Sequence, residues 1–171
     1  MTAAPAPADG ARPDVAEAFK LAMRYLASGV GIITAGTGEN RRGFTATAVC
    51  SVCADPPTVL VCANRSAEAH DVIARHGHFC INLLAQGDAR LAERFAARDG
   101  SKGAVRFEGR DWVDLATGAP ALADALVCLD CEVGDSFATG THTVFFGLVS
   151  GATVHPAEPL IYFDRTFRAL A

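Results

Sequence analysis

The sequence predicts a mainly β domain in which helices flank an antiparallel barrel. Two observations carry that expectation. Roughly seven short apolar runs, bounded by Gly, Pro or polar turns, read as strands. The helical stretches between them are too few to alternate with the strands, which argues against a doubly wound parallel sheet. A closed barrel with helices packed outside satisfies both.

In chain order, Pro13 to Ser28 reads as a helix. Val15, Phe19, Ala22, Met23 and Leu26 share one face, and Ser28-Gly29 stops it. Val30 to Ala35 is a strand, and Gly36 to Arg42 a polar turn. Gly43 to Pro57 reads as the second strand, punctuated by a glycine and a double proline. It carries small residues, hydroxyls and two valines, with no charge before Asp55. Such a strand cannot cover a core with bulk. It either packs against a tight neighbour or lets a flat ligand approach its main chain.

Thr58 to Ala63 is a short strand, apolar on both faces. Ser66 is a candidate N-cap for a helix running through Val72 and Ile73 to Gly77. The N–H groups of such a start are either ordinary cap donors or an anion site. Phe79 to Leu84 is a strand with one polar residue, Asn82. Asp88 to Arg98 is a helix presenting Leu91 and Phe95. Asp99 to Arg110 is a charged loop with Lys102, Arg106 and Phe107. Val127 to Val133, Thr143 to Val149 and Leu160 to Phe163 complete the strands.

The chain has 171 residues, half of them hydrophobic and 20% charged, which fits one globular domain. Residues 1–12 are small and Pro-rich and read as a tail, leaving 13–171 as the domain. The start lacks the basic and apolar regions of an export signal, and no membrane span is visible. A net charge of −4 leaves no basic stripe for nucleic acid. Lys20 and Lys102 are the only lysines. The six cysteines lie in apolar runs, which favours buried, reduced thiols in a cytoplasm.

Two Cys-x-x-Cys pairs, Cys50/Cys53 and Cys128/Cys131, have zinc-ribbon spacing. Both fall in strand-like sequence, where residues three apart point to opposite faces, so structural zinc is disfavoured. The phosphate-cradling glycine loops and the Gly-x-Ser-x-Gly elbow are absent. Among five histidines, His142 stands out. In Gly140-Thr141-His142-Thr143 it opens an apolar strand, either as a cap or as part of a site leaning over the barrel mouth.

Seven motifs in fixed order resemble the short-chain flavin reductases. They are Phe19-(x)3-Met23, Gly29-Val30-(x)2-Ile33-Thr34, Gly43 to Val52, Pro56-Pro57, Phe79 to Leu84, Gly140-Thr141-His142 and Leu160 to Phe167. The likeness covers about residues 18–170. It is strongest to the reductase components of 4-hydroxyphenylacetate 3-monooxygenase and of the pyrimidine-utilisation monooxygenase, and to corrin reductases.

The resemblance implies a Greek-key split barrel that binds FMN or FAD, usually as a homodimer. It implies that NADH or NADPH reduces the flavin, which then leaves for a separate monooxygenase. Thr45, Ala46, Thr47, Ala48, Ser51, Val52 and Cys53 would flank the isoalloxazine ring. Asn64, Arg65, Ser66 and Ala67 would receive the phosphate. Phe107 is counted with the flavin contacts. His142, the expected catalytic contact, and Phe167 would lie near flavin and nicotinamide. Relatives often carry a hydroxyl where this chain has Ala67 or Cys53. The cofactors carry the hydride chemistry, which explains why no acid–base pair is conspicuous. The alternatives are a corrin reductase, a module that retains its flavin for electron transfer, and a zinc-stapled interaction domain.

Overall fold

The computed structural model describes residues 14–170. The expected tail and Pro13 lie outside them. Helix α1 (Val15–Arg24) is capped by the Asp14 carboxylate, which accepts from the Ala16 N–H at 3.0 Å. It ends short of Ser28 because Ser28–Gly29 already forms β1, paired with Tyr162 and Ile161. The predicted apolar stripe is present, but Val15, Phe19, Met23 and Leu26 are all exposed. This chain does not cover them.

Strands β2 (Gly31–Ala35), β3 (Arg42–Ala46), β4 (Val49–Ala54) and β5 (Pro57–Asn64) follow. Then come α2 (Glu68–His76), β6 (His78–Leu83) and α3 (Ala89–Phe95). The short pair β7 (Trp112–Asp114) and β8 (Pro120–Leu122) precedes a long hairpin, β9 (Val127–Thr139) with β10 (His142–Val154). Strands β11 (Ile161–Phe163) and β12 (Thr166–Arg168) end the chain. No helix of the described residues is long and apolar enough to cross a membrane.

Seven strands form one antiparallel sheet in the order β3-β2-β6-β9-β10-β5-β4. Its two edges are consecutive in sequence. The Gly43–Pro57 stretch is therefore two strands, broken at Thr47-Ala48, where the expected single strand crosses from one sheet edge to the other. Thr47 and Ala48 are exposed and hold no core contact that would keep the strand straight. The Cys62 N–H donates to the Ala48 carbonyl at 3.1 Å, tying the break to β5. β3 and β4 do not pair with each other, so the barrel is split rather than closed.

The barrel interior packs Ile33, Val61, Phe79, Ile81 and Phe145 with Ile73 of α2. A second core on the opposite face joins Ile32, Cys80, Phe95, Phe107, Leu122 and Leu160. β2 lies between the two, and all five of its residues are buried. A Cβ at Gly147 would stand 2.5 Å from Phe79 Cζ, so only glycine lets that ring cross the barrel. β5, expected to be apolar on both faces, buries Val59, Val61 and Ala63 and half-exposes the residues between them.

β9 and β10 run 13 residues each, far past the predicted ends, because their outer halves are exposed and lack an apolar signal. β7, β8 and β12, three residues each, are too short for periodicity to reveal.

The cysteines divide. Cys80, Cys128 and Cys131 are buried, but Cys50 and Cys53 are exposed, contrary to the expectation for all six. Burial pushes the Cys131 thiol up to about 12. A bulge between Ser51 and Cys53 adds one residue to β4, so Cys50 opposes Leu60 and Cys53 opposes Thr58. Those partners are two apart, and the two thiols therefore share a face, not the opposite faces a regular strand dictates. Among the described residues no group of three His, Cys, Asp or Glu is placed to hold a metal.

Asn82, the lone polar residue of β6, is fully buried and fully used. Its Nδ2 donates to the Ile32 carbonyl at 3.0 Å and to Thr34 Oγ1 at 3.1 Å, while its Oδ1 accepts from the Leu122 N–H at 2.7 Å. It joins β8 to the sheet across the second core. Asn82→Leu, similar in volume, strands these partners in apolar surroundings and lowers stability by about 2–4 kcal/mol. Urea denaturation checks this, and a change below about 1 kcal/mol contradicts it.

Candidate functional site

Two neighbouring cavities open along β3 and share Thr45 and Ala96. The first, about 180 Å³, is lined by Thr45-Ala46-Thr47, by Ala92 and Arg98 on the α3 side, and by Tyr162 and Phe167. The second, about 530 Å³, runs from Gly43 to Asn64, Ser66, Ala67 and Glu68, with Lys102 and Arg106 opposite. Together they form a groove in the size range of ligand pockets, one end narrow and aromatic, the other wide and cationic.

The narrow end is framed by a small hairpin. Asp164 (φ 45°) and Arg165 (φ 63°) make the two-residue turn between β11 and β12. Arg24 clamps that turn, its Nε bonding Asp164 Oδ1 at 2.8 Å while its carbonyl accepts from the Asp164 N–H at 2.7 Å. Tyr162 and Phe167 consequently meet edge to face across the hairpin, centroids 5.5 Å apart, as an aromatic wall. Phe167, expected near flavin and nicotinamide, lines the narrow cavity. Tyr162 was missed, because a turn lacking Gly and Asn gives no hairpin signal.

The floor is β3. A Cβ on Gly43 would stand 2.7 Å from the Phe95 ring, so glycine alone permits α3 to lie this close. Thr45 Oγ1 donates to the Ala92 carbonyl at 2.6 Å and is engaged with α3 rather than free for a ligand. Thr47 is exposed and offers the available hydroxyl.

At the wide end, Ala67 and not Ser66 is the N-cap of α2. Asn64 Oδ1 accepts from both the N–H and the hydroxyl of Ser66, each at 2.9 Å, so that hydroxyl's proton is spent on Asn64. The Ala67 N–H donates to the Asn64 carbonyl. Beyond it the His70 N–H donates to the Ala67 carbonyl at 2.9 Å, while the Glu68 and Ala69 N–H groups lack intrahelical acceptors by helix geometry and leave the start electropositive. Arg106 is 7% exposed; its Nε and Nη2 donate to the Ser101 carbonyl and its Nη1 to the Gly43 carbonyl. It brackets the loop to β3 and places a fixed charge under the cavity. Lys102 beside it is exposed.

Other expected residues lie elsewhere. Phe107 is 1% exposed, packed edge-on against Phe95 and Trp112 at 5.0 and 4.8 Å, so it is core and presents no face to a ligand. The side chains of that loop that line the cavity are Lys102 and Arg106. Ala48, Ser51, Val52 and Cys53 are exposed on or beside β4 and line neither cavity. Arg65 lines a separate hollow with Asn64, Ser66, His70 and Thr141.

His142 opposes Asn64 across the β5–β10 ladder, and its Nδ1 shares a hydrogen bond with Thr141 Oγ1 at 2.9 Å. Thr143, Phe145 and Gly147 point into the barrel, so His142 lies on the outer face, next to the α2 start and outside the narrow cavity. His70, which no motif singles out, bonds Thr143 Oγ1 and Asp71 Oδ1, both at 2.9 Å, and pins α2 to β10.

Residues 23–171 match the model of the flavin reductase like domain, and the chain belongs to that family. It is 45% identical to the FMN reductase (NADH) RutF 2 of Methylorubrum extorquens, over 91% of this chain and 90% of the relative. Among solved structures it resembles the NADH:FAD oxidoreductase SgcE6 of Streptomyces globisporus in complex with NAD and FAD fragments. There the TM-score is 0.83 at 30% identity, over 96% of this chain and 98% of the other. It also resembles BorF, the flavin reductase component of a bacterial two-component tryptophan halogenase. That match has a TM-score of 0.82 at 29% identity, over 91% and 98% of the two chains.

Gly43→Ala drives a methyl into Phe95 and displaces α3 from β3. Overpacking of this kind lowers stability by about 1–3 kcal/mol. Denaturant titration measures it, and an unchanged midpoint contradicts the close packing described.

Proposed function

We propose that this chain is an NADH-dependent flavin reductase that takes up FMN or FAD, reduces it, and releases it to a separate monooxygenase. The groove along β3 carries the reading: small main-chain-lined walls at one end, cations and a helix start at the other. An isoalloxazine ring is flat and its phosphate anionic, and the residue chemistry fits both halves. Bound nicotinamide and flavin supply the redox chemistry, a hydride passing from one ring to the other.

The chain's part is to bind, orient and exclude water. Thr45, Ala46 and Thr47 flank the ring through main chain and the Thr47 hydroxyl. Tyr162 and Phe167 offer flat faces against which rings stack. Asn64 to Ala67 and Lys102 receive the phosphate, with Arg106 contributing field rather than a free hydrogen bond. His142 stays in the site on its place beside Asn64, where it seats the nicotinamide dinucleotide rather than donating a proton.

The purified protein is expected to consume NADH in the presence of FMN or FAD and not in their absence. Spectrophotometry at the nicotinamide band tests this, and flavin-independent or absent consumption defeats the reading.

A homodimer in the cytoplasm completes the proposal. Support comes from apolar residues the chain leaves uncovered: Val52, Phe137 and Leu148 on the sheet, and Val15, Phe19 and Leu26 on and just after α1. Light scattering is expected to give twice the chain mass, and a monomer at micromolar concentration would remove this part.

A further inference from the structure

The wide end of the groove holds a carboxylate where an anion is expected to bind. Glu68, the first residue of α2, lines the same cavity as Ser66, Ala67, Lys102 and Arg106. Its Oε2 accepts from the Gly103 N–H at 3.0 Å, drawing the Asp99–Arg110 loop onto the helix start. An acid in a first helical turn is ordinarily accounted for by the macrodipole. This one does more, because its charge lies among the groups that would hold a phosphate.

We infer that Glu68 is a built-in competitor of the flavin phosphate that keeps the flavin a released product instead of a resident group. The inference rests on the phosphate reading of this cavity given above. In the ligand-free chain the carboxylate supplies the negative charge that Lys102, Arg106 and the helix start attract. A flavin phosphate brings a charge of about −1.5 to −2 into the same space and meets that carboxylate. The cavity is open to water, so the repulsion is moderate: it weakens the hold on the phosphate without abolishing binding. A reductase that hands its product to another enzyme has a use for such a group, whereas a module that retains its flavin has none.

Glu68→Gln tests the charge alone, since the amide oxygen still accepts from Gly103 N–H. Binding of FMN and of riboflavin is measured by flavin fluorescence on the ligand-free protein at low and high salt. FMN is expected to bind roughly three- to tenfold tighter to the variant, with riboflavin changed less than about twofold. The gain shrinks as salt screens the charges. The melting temperature of the free variant does not rise, because a favourable dipole contact is lost, so tighter binding does not reflect general stabilisation. Unchanged or weaker FMN binding overturns the inference. Lys102→Ala separates the two levels of the argument. If it weakens FMN but not riboflavin while Glu68→Gln leaves FMN unchanged, the phosphate reading stands and the role of Glu68 falls. If neither variant distinguishes FMN from riboflavin, the phosphate lies elsewhere and both fall.

Discussion

The break at Thr47-Ala48 is the constraint from which the rest of the molecule follows. A single chain segment supplies both edges of one sheet, β3 on one side and β4 on the other. The sheet must therefore curl until those edges approach, and the Ala48 carbonyl is fixed to the Cys62 N–H where they do. Curling creates the interior filled by Phe79 and Phe145, and it leaves β3 unpaired on its outer side. That free edge, with Gly43 pressed under Phe95, is the floor of the groove. Fold and site are thus one consequence of small residues at one bend.

Around that floor, each wall is held by a separate device. Arg24 and Asp164 set the turn that aims Tyr162 and Phe167. Arg106 ties its loop to Gly43, and Glu68 ties the same loop to α2. Asn64 folds back on Ser66, and His70 anchors the helix start to Thr143. The Thr143–His70–Asp71 chain has its hydroxyl buried and lines neither cavity, so it holds the helix start and does not offer a nucleophile to the groove. Together these devices orient and charge a groove, as hydride transfer between two bound rings requires.

Much of this was legible in the sequence, because apolar runs bounded by turn residues gave every strand of the main sheet except the split of Gly43–Pro57. That split escaped because Thr-Ala-Thr-Ala has no glycine or proline at the bend. The bulge in β4 escaped for the same reason, and with it the common face of Cys50 and Cys53. Thr45 to Thr47, Asn64, Ser66 and Ala67, which the resemblance implies as contacts, line the groove, and of them Ser66 also stands out locally beside a helix start. Tyr162, Glu68 and Arg106 depend on what lies opposite them in space, which spacing does not report. Phe107, unlike Arg106, lines neither cavity, because the loop folds it into the second core.

The central claim is that one groove along β3 takes the flavin, ring at the narrow end and phosphate at the α2 start. A crystal structure of the protein with FMN tests it most directly. The account predicts the ring against Thr45-Ala46-Thr47 and the phosphate within hydrogen-bonding reach of the Ser66–Ala67 turn and Lys102. A ring seated away from β3, or a phosphate bound outside that turn, would contradict it.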